Sequence, residues 1–353
     1  MKVLVTGAAG FIGSHVVDAF RSHGADVIGL DSLDPGVHRS IPAYLRPDVE
    51  YCFADLRTWI PDERFADVEL IVHLAALGGV SRAAREPANI IAANAGGTAR
   101  LVEHARAWPL LRHVILASSF SIYGANYTYR VPSTSALLNA QRRTEDLERG
   151  DFEVRDRATG EVAVIVPITA SATPGPLETY GASKYMQELC FRGFEHAPVT
   201  ILRFSSVYGQ RMRLEDGEAT IVAKLAGWIR SGICPQLLED GGQIRDWVYV
   251  GDLVDAVLRI STGASAPPII NVCSGRPTTL LSACDVLARV LERAVAPRVV
   301  GGYRAGDMRH CLGDAAPFTQ LIGRAPLRFE EGAPLAFGVS PTPVLAATCA
   351  ASW

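Results

Sequence analysis

The first 31 residues constrain this chain more than any other stretch. "KVLVT", Lys2 to Thr6, is a β-branched apolar run with the character of a buried parallel strand. Gly7-Ala8-Ala9-Gly10-Phe11-Ile12-Gly13 follows, and then a helix-compatible stretch, Ser14 to Ser22, with Val16, Val17 and Phe20 as its apolar members. Gly24 is placed to end that helix. "ADVIGLD" is a second strand, and it ends on Asp31. The order is strand, glycine turn, helix, strand, acid. Glycines in such a turn let the backbone approach a pyrophosphate, and the helix start offers unpaired N–H groups to bind it. Asp31 falls 18 residues after Gly13, where a carboxylate can accept hydrogen bonds from an adenosine ribose. A carboxylate there disfavours a 2′-phosphate, and the next arginine is Arg39, so the pattern points to NAD rather than NADP.

The bulk numbers bound the rest. A chain of 353 residues can hold two domains, or one large domain with a lobe, and 48% hydrophobic residues can supply the core. A net charge of −3 gives no nucleic-acid footprint and no polybasic membrane surface. The N-terminus runs straight into the first strand without the three parts of a signal peptide. No apolar run reaches the ~18 residues that a membrane span needs. Seven scattered cysteines suit reduced thiols in a cytoplasmic protein. No CxxC or HxxxH spacing occurs, so no metal is expected.

"ETYGASKYMQE" carries the chemistry. The chain has three lysines, Lys2, Lys184 and Lys224, and one of them stands four residues after Tyr180. Residues four apart share a helix face, so Tyr180 and Lys184 point the same way. A free phenol titrates near ~10 and is a poor base at neutral pH. A neighbouring ammonium and a nicotinamide cation each favour the phenolate. Lysine suits the task as a compact point charge that can also donate to a ribose.

These motifs, with others in the same order, resemble the extended short-chain dehydrogenase/reductase family, the NAD-dependent epimerases and dehydratases of nucleotide sugars. The glycine spacing is GxxGxxG, as in that family. Asp55-Leu56-Arg57 looks like the element against adenine. His73-Leu74-Ala75-Ala76 looks like the loop near the pyrophosphate and nicotinamide ribose. Asn94, followed by Gly97-Thr98, looks like the central-helix asparagine. "LASSFSIYG", Leu116 to Gly124, looks like the fifth strand with Ser118 and the catalytic Ser119. "LRFSSVYG", "GGQIRDWVYVGDL" and "YRAGDMRHC" complete the series, and the match spans roughly residues 1 to 315. The resemblance implies Ser119 as partner of the substrate oxygen, Tyr180 as acid/base and Lys184 as its activator. It places Gly7, Gly10, Phe11, Ile12, Gly13, Asp31, Asp55, Leu56, Leu74, Ala75, Ala76, Asn94, Ser118 and Phe204 around NAD, together with Tyr180 and Lys184. It assigns Ser121, Ser206, Arg245, Arg304 and Asp307 to a nucleotide-diphosphate sugar. Ser206 departs from the family pattern, which has Asn before "VYG".

The residues after Ser119 discriminate among reactions. Related 4,6-dehydratases place Asp-Glu there, and related decarboxylases keep a Glu. Here they are Phe120 and Ser121, neither of which is a carboxylate. Two outcomes stay open: 4-epimerisation with recycled NAD, or net 4-ketoreduction with exchanged cofactor. Between Gly124 and Tyr180 lie about 55 residues, roughly twice the length in compact members. The stretch resembles the dTDP-L-rhamnose 4-epimerase branch, although related inserts often carry cysteine pairs and this one has none. UDP-glucose- or UDP-glucuronate-type activity ranks behind it. Within the insert, Phe152 to Arg155 and Glu161 to Val166 read as two short strands joined at Ala158-Thr159-Gly160. The insert reads either as a substrate element or as a solvated flap.

The implied fold is α/β: a Rossmann doubly wound parallel sheet with a smaller C-terminal α/β lobe for the substrate. The division expected is an NAD-binding domain over 1–181 with a return near 246–262, a substrate lobe over 182–330 and a tail over 331–353. Helices near Ile90 to Ala107 and Tyr180 to Phe194 would form a homodimer bundle, as in relatives. The small-residue-rich end, from Gly338 to Trp353, is expected to be poorly ordered.

Overall fold

The computed structural model describes residues 1–139, 142–214, 220–304 and 307–338. Its frame is a seven-stranded parallel sheet. In space the strands run Ile269–Val272, Val199–Phe204, His113–Ser119, Leu70–His73, Lys2–Thr6, Asp26–Asp31 and Glu50–Phe53. By chain order that is 3-2-1-4-5-6-7 read from the Glu50–Phe53 edge, the doubly wound arrangement of a Rossmann fold. Such a sheet is covered on both faces, so its strands carry apolar residues on both. Val3 and Val5 enter one core with Val16, Val17, Phe20 and helix Val250–Ser261. Leu4 enters the other with Trp59, Phe65, Leu101 and Phe191.

The first helix spans Phe11–Ser22 and begins three residues before the expected start, because extended Gly10 caps it directly. The region expected as one helix from Ile90 to Ala107 is broken into Pro87–Ile91, a π-type turn Ala92–Gly96, and Gly97–Ala105. The wide turn lets buried Asn94 bond Leu77 and Ser183 together. The helix after the insert runs Thr179–Cys190. Gly181 allows its first turn to press on the strand-five loop, since a Cβ there would lie 2.5 Å from the Ser121 carbonyl oxygen.

The insert folds differently from expectation. Phe152 to Arg155 forms no strand; Arg155 meets Val162 in a single bridge. The second strand is reduced to Val164–Ile165 and pairs with Thr128–Arg130, which also pairs with Leu137–Asn139. Packing decides this. Val154, Ala163 and Ile165 join Tyr123, Tyr127, Tyr129 and Leu312 in a core of their own. Burial of these side chains draws the segment against Tyr129. The insert is thus not a solvated flap.

It is fastened to the C-terminal part of the chain by charge. Arg142 bonds Glu239 at 2.8 Å, with both side chains almost fully buried. Arg309 donates to Glu239, to both Asp240 oxygens and to Glu153. Another core, with Val222, Leu225, Trp247, Leu287 and Phe329, gathers helices Ile221–Arg230, Leu280–Val290 and Phe329–Phe337. Asp246 knots this region: Ser274 N and Oγ, Gly275 N and Gly313 N all donate to its carboxylate. Most of the tail expected to be poorly ordered, residues 339–353, lies outside the described residues, as do 305–306 within "YRAGD".

Candidate active site

The glycine turn is dictated by close approach. Gly7 has φ +71°, and a Cβ there would lie 2.9 Å from the Ala75 nitrogen. A Cβ on Gly13 would lie 1.9 Å from the Gly7 carbonyl oxygen. The helix that follows starts without a side-chain cap, which leaves its first N–H groups for an anion. Asp31 closes the turn from the second strand. One oxygen accepts from Ala9 N at 2.9 Å and the other from Leu33 N at 2.8 Å, so each retains a lone pair.

A cleft of about 380 Å³ runs from this turn along the carboxyl ends of the strands. Gly7, Gly10, Phe11, Ile12, Gly13 and Asp31 line one end, with Asp55 and Leu56. Leu74, Ala75 and Ala76 form a wall, and Ser118, Tyr180, Lys184 and Phe204 line the other end. Asn94 does not reach the cleft. It stands behind it, bonding the Leu77 backbone at 2.7 and 3.0 Å. The sequence reading passed over Asp34, Val37 and His38, which also line the cleft from the loop after the second strand. That loop has no motif. It is fixed by Arg82, which bonds Asp34 at 2.8 and 3.2 Å, and by the Tyr44 hydroxyl, which donates to Ala9 O at 2.8 Å.

Tyr180 and Lys184 share a face of helix Thr179–Cys190, which Glu178 caps by accepting from the Tyr180 and Gly181 N–H groups at 2.7 and 2.8 Å. Ser119 ends its strand, and its oxygen accepts from Ser121 N at 3.1 Å, so its own hydrogen is left to donate. Burial pushes the Tyr180 phenol up to about 12; the adjacent Ser119 hydroxyl pulls it down, and the Glu178 carboxylate pushes it up. The four-residue spacing predicts that Lys184 lowers this phenol, yet Lys184 is not among the groups that shift it. In the cleft itself burial outweighs every other influence on the ring. Burial also pushes Lys184 down to about 7, against the pull of Glu188. The ammonium donates to the Gln187 side-chain oxygen.

The residues assigned to the sugar diphosphate divide. Arg245 donates to the carbonyls of Ile244 and Arg309, and its guanidinium comes within 4.0 Å of Asp307. Asp307 N donates to Arg304 O at 3.1 Å through the backbone, and Arg304 and Asp307 are both exposed. Ser206 pairs with Trp247 at the start of strand Ser206–Tyr208. Ser121 sits in the short turn after Ser119.

The residues present fit a dinucleotide. Gly7, Gly10 and Gly13 line the cleft without side chains, the helix start beside them has no side-chain cap, Asp31 keeps free lone pairs, and a phenol and an ammonium stand at the far end. Comparison with known proteins agrees. Residues 3–145 and 156–273 match the family model described as the NAD dependent epimerase/dehydratase family. The chain is 30% identical to a dTDP-L-rhamnose 4-epimerase of Burkholderia thailandensis, over 92% of this chain and 90% of that protein. It is 30% identical to a putative UDP-glucose 4-epimerase of Methanocaldococcus jannaschii, over 81% of each. Among solved structures, a Thermus thermophilus UDP-glucose 4-epimerase in complex with NAD superposes with a TM-score of 0.70 at 26% identity, covering 96% of this chain and 98% of that one.

Proposed function

This chain belongs to the NAD-dependent epimerase/dehydratase family, and on that premise we propose that it inverts C4 of a nucleotide-linked hexose, with a dTDP-linked 6-deoxyhexose as its substrate. The observation that carries this reading is a dinucleotide cleft lined by Tyr180 and Lys184, with the Ser119 hydroxyl beside the phenol and with Phe120 and Ser121 where a dehydratase or decarboxylase would need a carboxylate.

Bound in the cleft, NAD supplies the acceptance of a hydride from C4 and its return. The chain's own residues do the rest. Tyr180, as phenolate, takes the proton of the C4 hydroxyl, and Ser119 donates to the same oxygen. Lys184 steadies the phenolate and offers its remaining N–H donors to the cofactor ribose. The carbonyl formed at C4 is flat, so the sugar can turn about its diphosphate and present the opposite face. Arg245 and Arg304 are the donors suited to hold that diphosphate, because a guanidinium offers paired N–H groups to phosphate oxygens. Tyr180 then returns the proton. Position, charge and exclusion of water are the protein's share of the catalysis.

Support for the dTDP-linked sugar comes from the long insert, because UDP-glucose and UDP-glucuronate 4-epimerases match this chain over as great a length as the dTDP-L-rhamnose 4-epimerase does. A panel of dTDP-L-rhamnose, UDP-glucose and UDP-glucuronate tests it. The expected outcome is the highest kcat/KM for the dTDP sugar. A preference for either UDP sugar overturns that choice while leaving 4-epimerisation standing.

A further inference from the structure

Gln187 has no place in the mechanism above, yet it is buried and fully engaged. Its side-chain oxygen accepts from the Lys184 ammonium. Its nitrogen donates to Ala75 O at 3.2 Å and to Thr98 Oγ1 at 2.7 Å, and lies 3.3 Å from His73 Nε2. A backbone carbonyl can only accept, so Ala75 fixes which end of the amide carries the nitrogen. The oxygen is thereby turned to Lys184. Behind the amide, His73 is clamped between Thr6 Oγ1 at 2.6 Å and Thr98 Oγ1 at 2.7 Å, and Thr6 Oγ1 accepts from Ala75 N at 3.2 Å. Gln187, His73, Thr98 and Thr6 are each no more than 1% exposed.

We propose that Gln187 is a positioning residue for Lys184: its amide, oriented by Ala75, Thr98 and His73, presents a fixed acceptor that holds the ammonium at the wall of the cofactor cleft. An ammonium has three donors. Gln187 takes one and leaves two for the ribose and the phenolate. In water a lysine head explores many rotamers; here one hydrogen bond from a rigid amide restricts it. The inference deepens the epimerase reading and rests on it for its catalytic meaning.

The groups around Lys184 are few. Tyr180 and Glu188 come from its own helix and His73 from strand Leu70–His73, with Arg203 of strand Val199–Phe204 paired to Glu188 behind it. Strand His113–Ser119 and the turn Ala92–Gly96 contribute Ser118 and Asn94, which do not titrate. Helices Val80–Arg85 and Gly97–Ala105 also pack on this helix. Arg82 there is engaged by Asp34 and Glu86, and His104 lies at hydrogen-bond distance from the Trp59 carbonyl. His73 is held down to about 3 by burial and by the Lys184 charge, so it stays neutral and adds no repulsion.

The chain's three lysines make a direct test practical. In full-length protein labelled at lysine Cε, the NMR titration of Lys184 is read in wild type, Gln187→Met and Gln187→Glu. Removal of the acceptor strips the ammonium of a partner, so the Gln187→Met midpoint is expected about one unit lower. A carboxylate at the same place favours the ammonium, so the Gln187→Glu midpoint is expected about one unit higher. A common midpoint in all three proteins overturns the proposal. If Gln187→Glu does not fold, Thr98→Val, which frees the amide nitrogen, is expected to broaden and lower the same titration; an unchanged curve overturns it equally. The titration needs no turnover. Its failure is therefore distinct from failure of the epimerase reading, which would be wild-type protein that interconverts no C4 epimers.

Discussion

Arg203 meets Glu188 in a two-bond ion pair, at 3.0 and 2.8 Å, with side chains only 3% and 6% exposed. Glu188 follows Lys184 by one helical turn, and it also accepts from Ser118 Oγ at 2.5 Å. Arg203 reaches onward to the Tyr123 hydroxyl and to Ala170 O in the insert. One buried pair thus joins helix Thr179–Cys190, the fifth strand and the insert. Arg203→Met would leave a buried carboxylate without its cation, a loss of about 3–5 kcal/mol. Chemical denaturation should show that loss, and the double variant Arg203→Met/Glu188→Leu should recover much of it.

The phenol assignment gives a second expectation. Replacement of Tyr180 by Phe keeps the ring and removes the proton carrier. General acid–base catalysis is worth roughly 10²–10⁴-fold, so steady-state assays should show kcat reduced by about that factor. The protein should still release NAD on denaturation. Retained turnover would assign the proton to another group.

A methyl group at Gly13 tests the cofactor turn. With its Cβ 1.9 Å from the Gly7 oxygen, Gly13→Ala must open the turn proposed to hold the pyrophosphate. Chromatography of denatured protein should find little or no NAD, against near-stoichiometric NAD in wild type.

The insert's anchor responds to pH. His310 and Arg309 hold the Glu153 carboxyl down to about 2, against the opposing effect of burial, from an ordinary 4.5. A carboxyl depressed in the folded state stabilises above its unfolded value and loses that contribution as pH falls. The contribution of Glu153 is therefore complete above about pH 4.5 and gone near pH 2. Glu153→Gln should be less stable than wild type at pH 7 by on the order of 2 kcal/mol, and the gap in denaturation free energy should close on acidification toward pH 2.

Local chemistry was legible in the sequence and distant pairing was not. The first strand, the glycine turn and Asp31 follow from residues within one βαβ unit, and Tyr180 and Lys184 from a helical repeat of four. The insert's strands differ from expectation because Val154 and Ile165 bury in one core with Tyr129, which stands near the start of the insert and far from them in sequence. Arg142 and Arg309 lie in motifs, but their pairings had no sequence signal, since their partners Glu239 and Glu153 lie 97 and 156 residues away. Gln187 sits three residues after Lys184, and that spacing was a usable clue. Its meaning needed Ala75 and Thr98, which only the fold brings beside it. The rise in the Tyr180 pKa was hidden for the same reason: burial is a property of the assembled cleft.

The central claim is that C4 is oxidised and reduced within one cleft by a cofactor that never leaves. The most direct measurement uses the dTDP sugar deuterated at C4, purified enzyme and no added nucleotide cofactor, with NMR of the product. The account predicts the C4 epimer with its deuterium still on C4. An epimer that has lost the deuterium, or no epimer until external NADH is supplied with a 4-keto sugar, would contradict it.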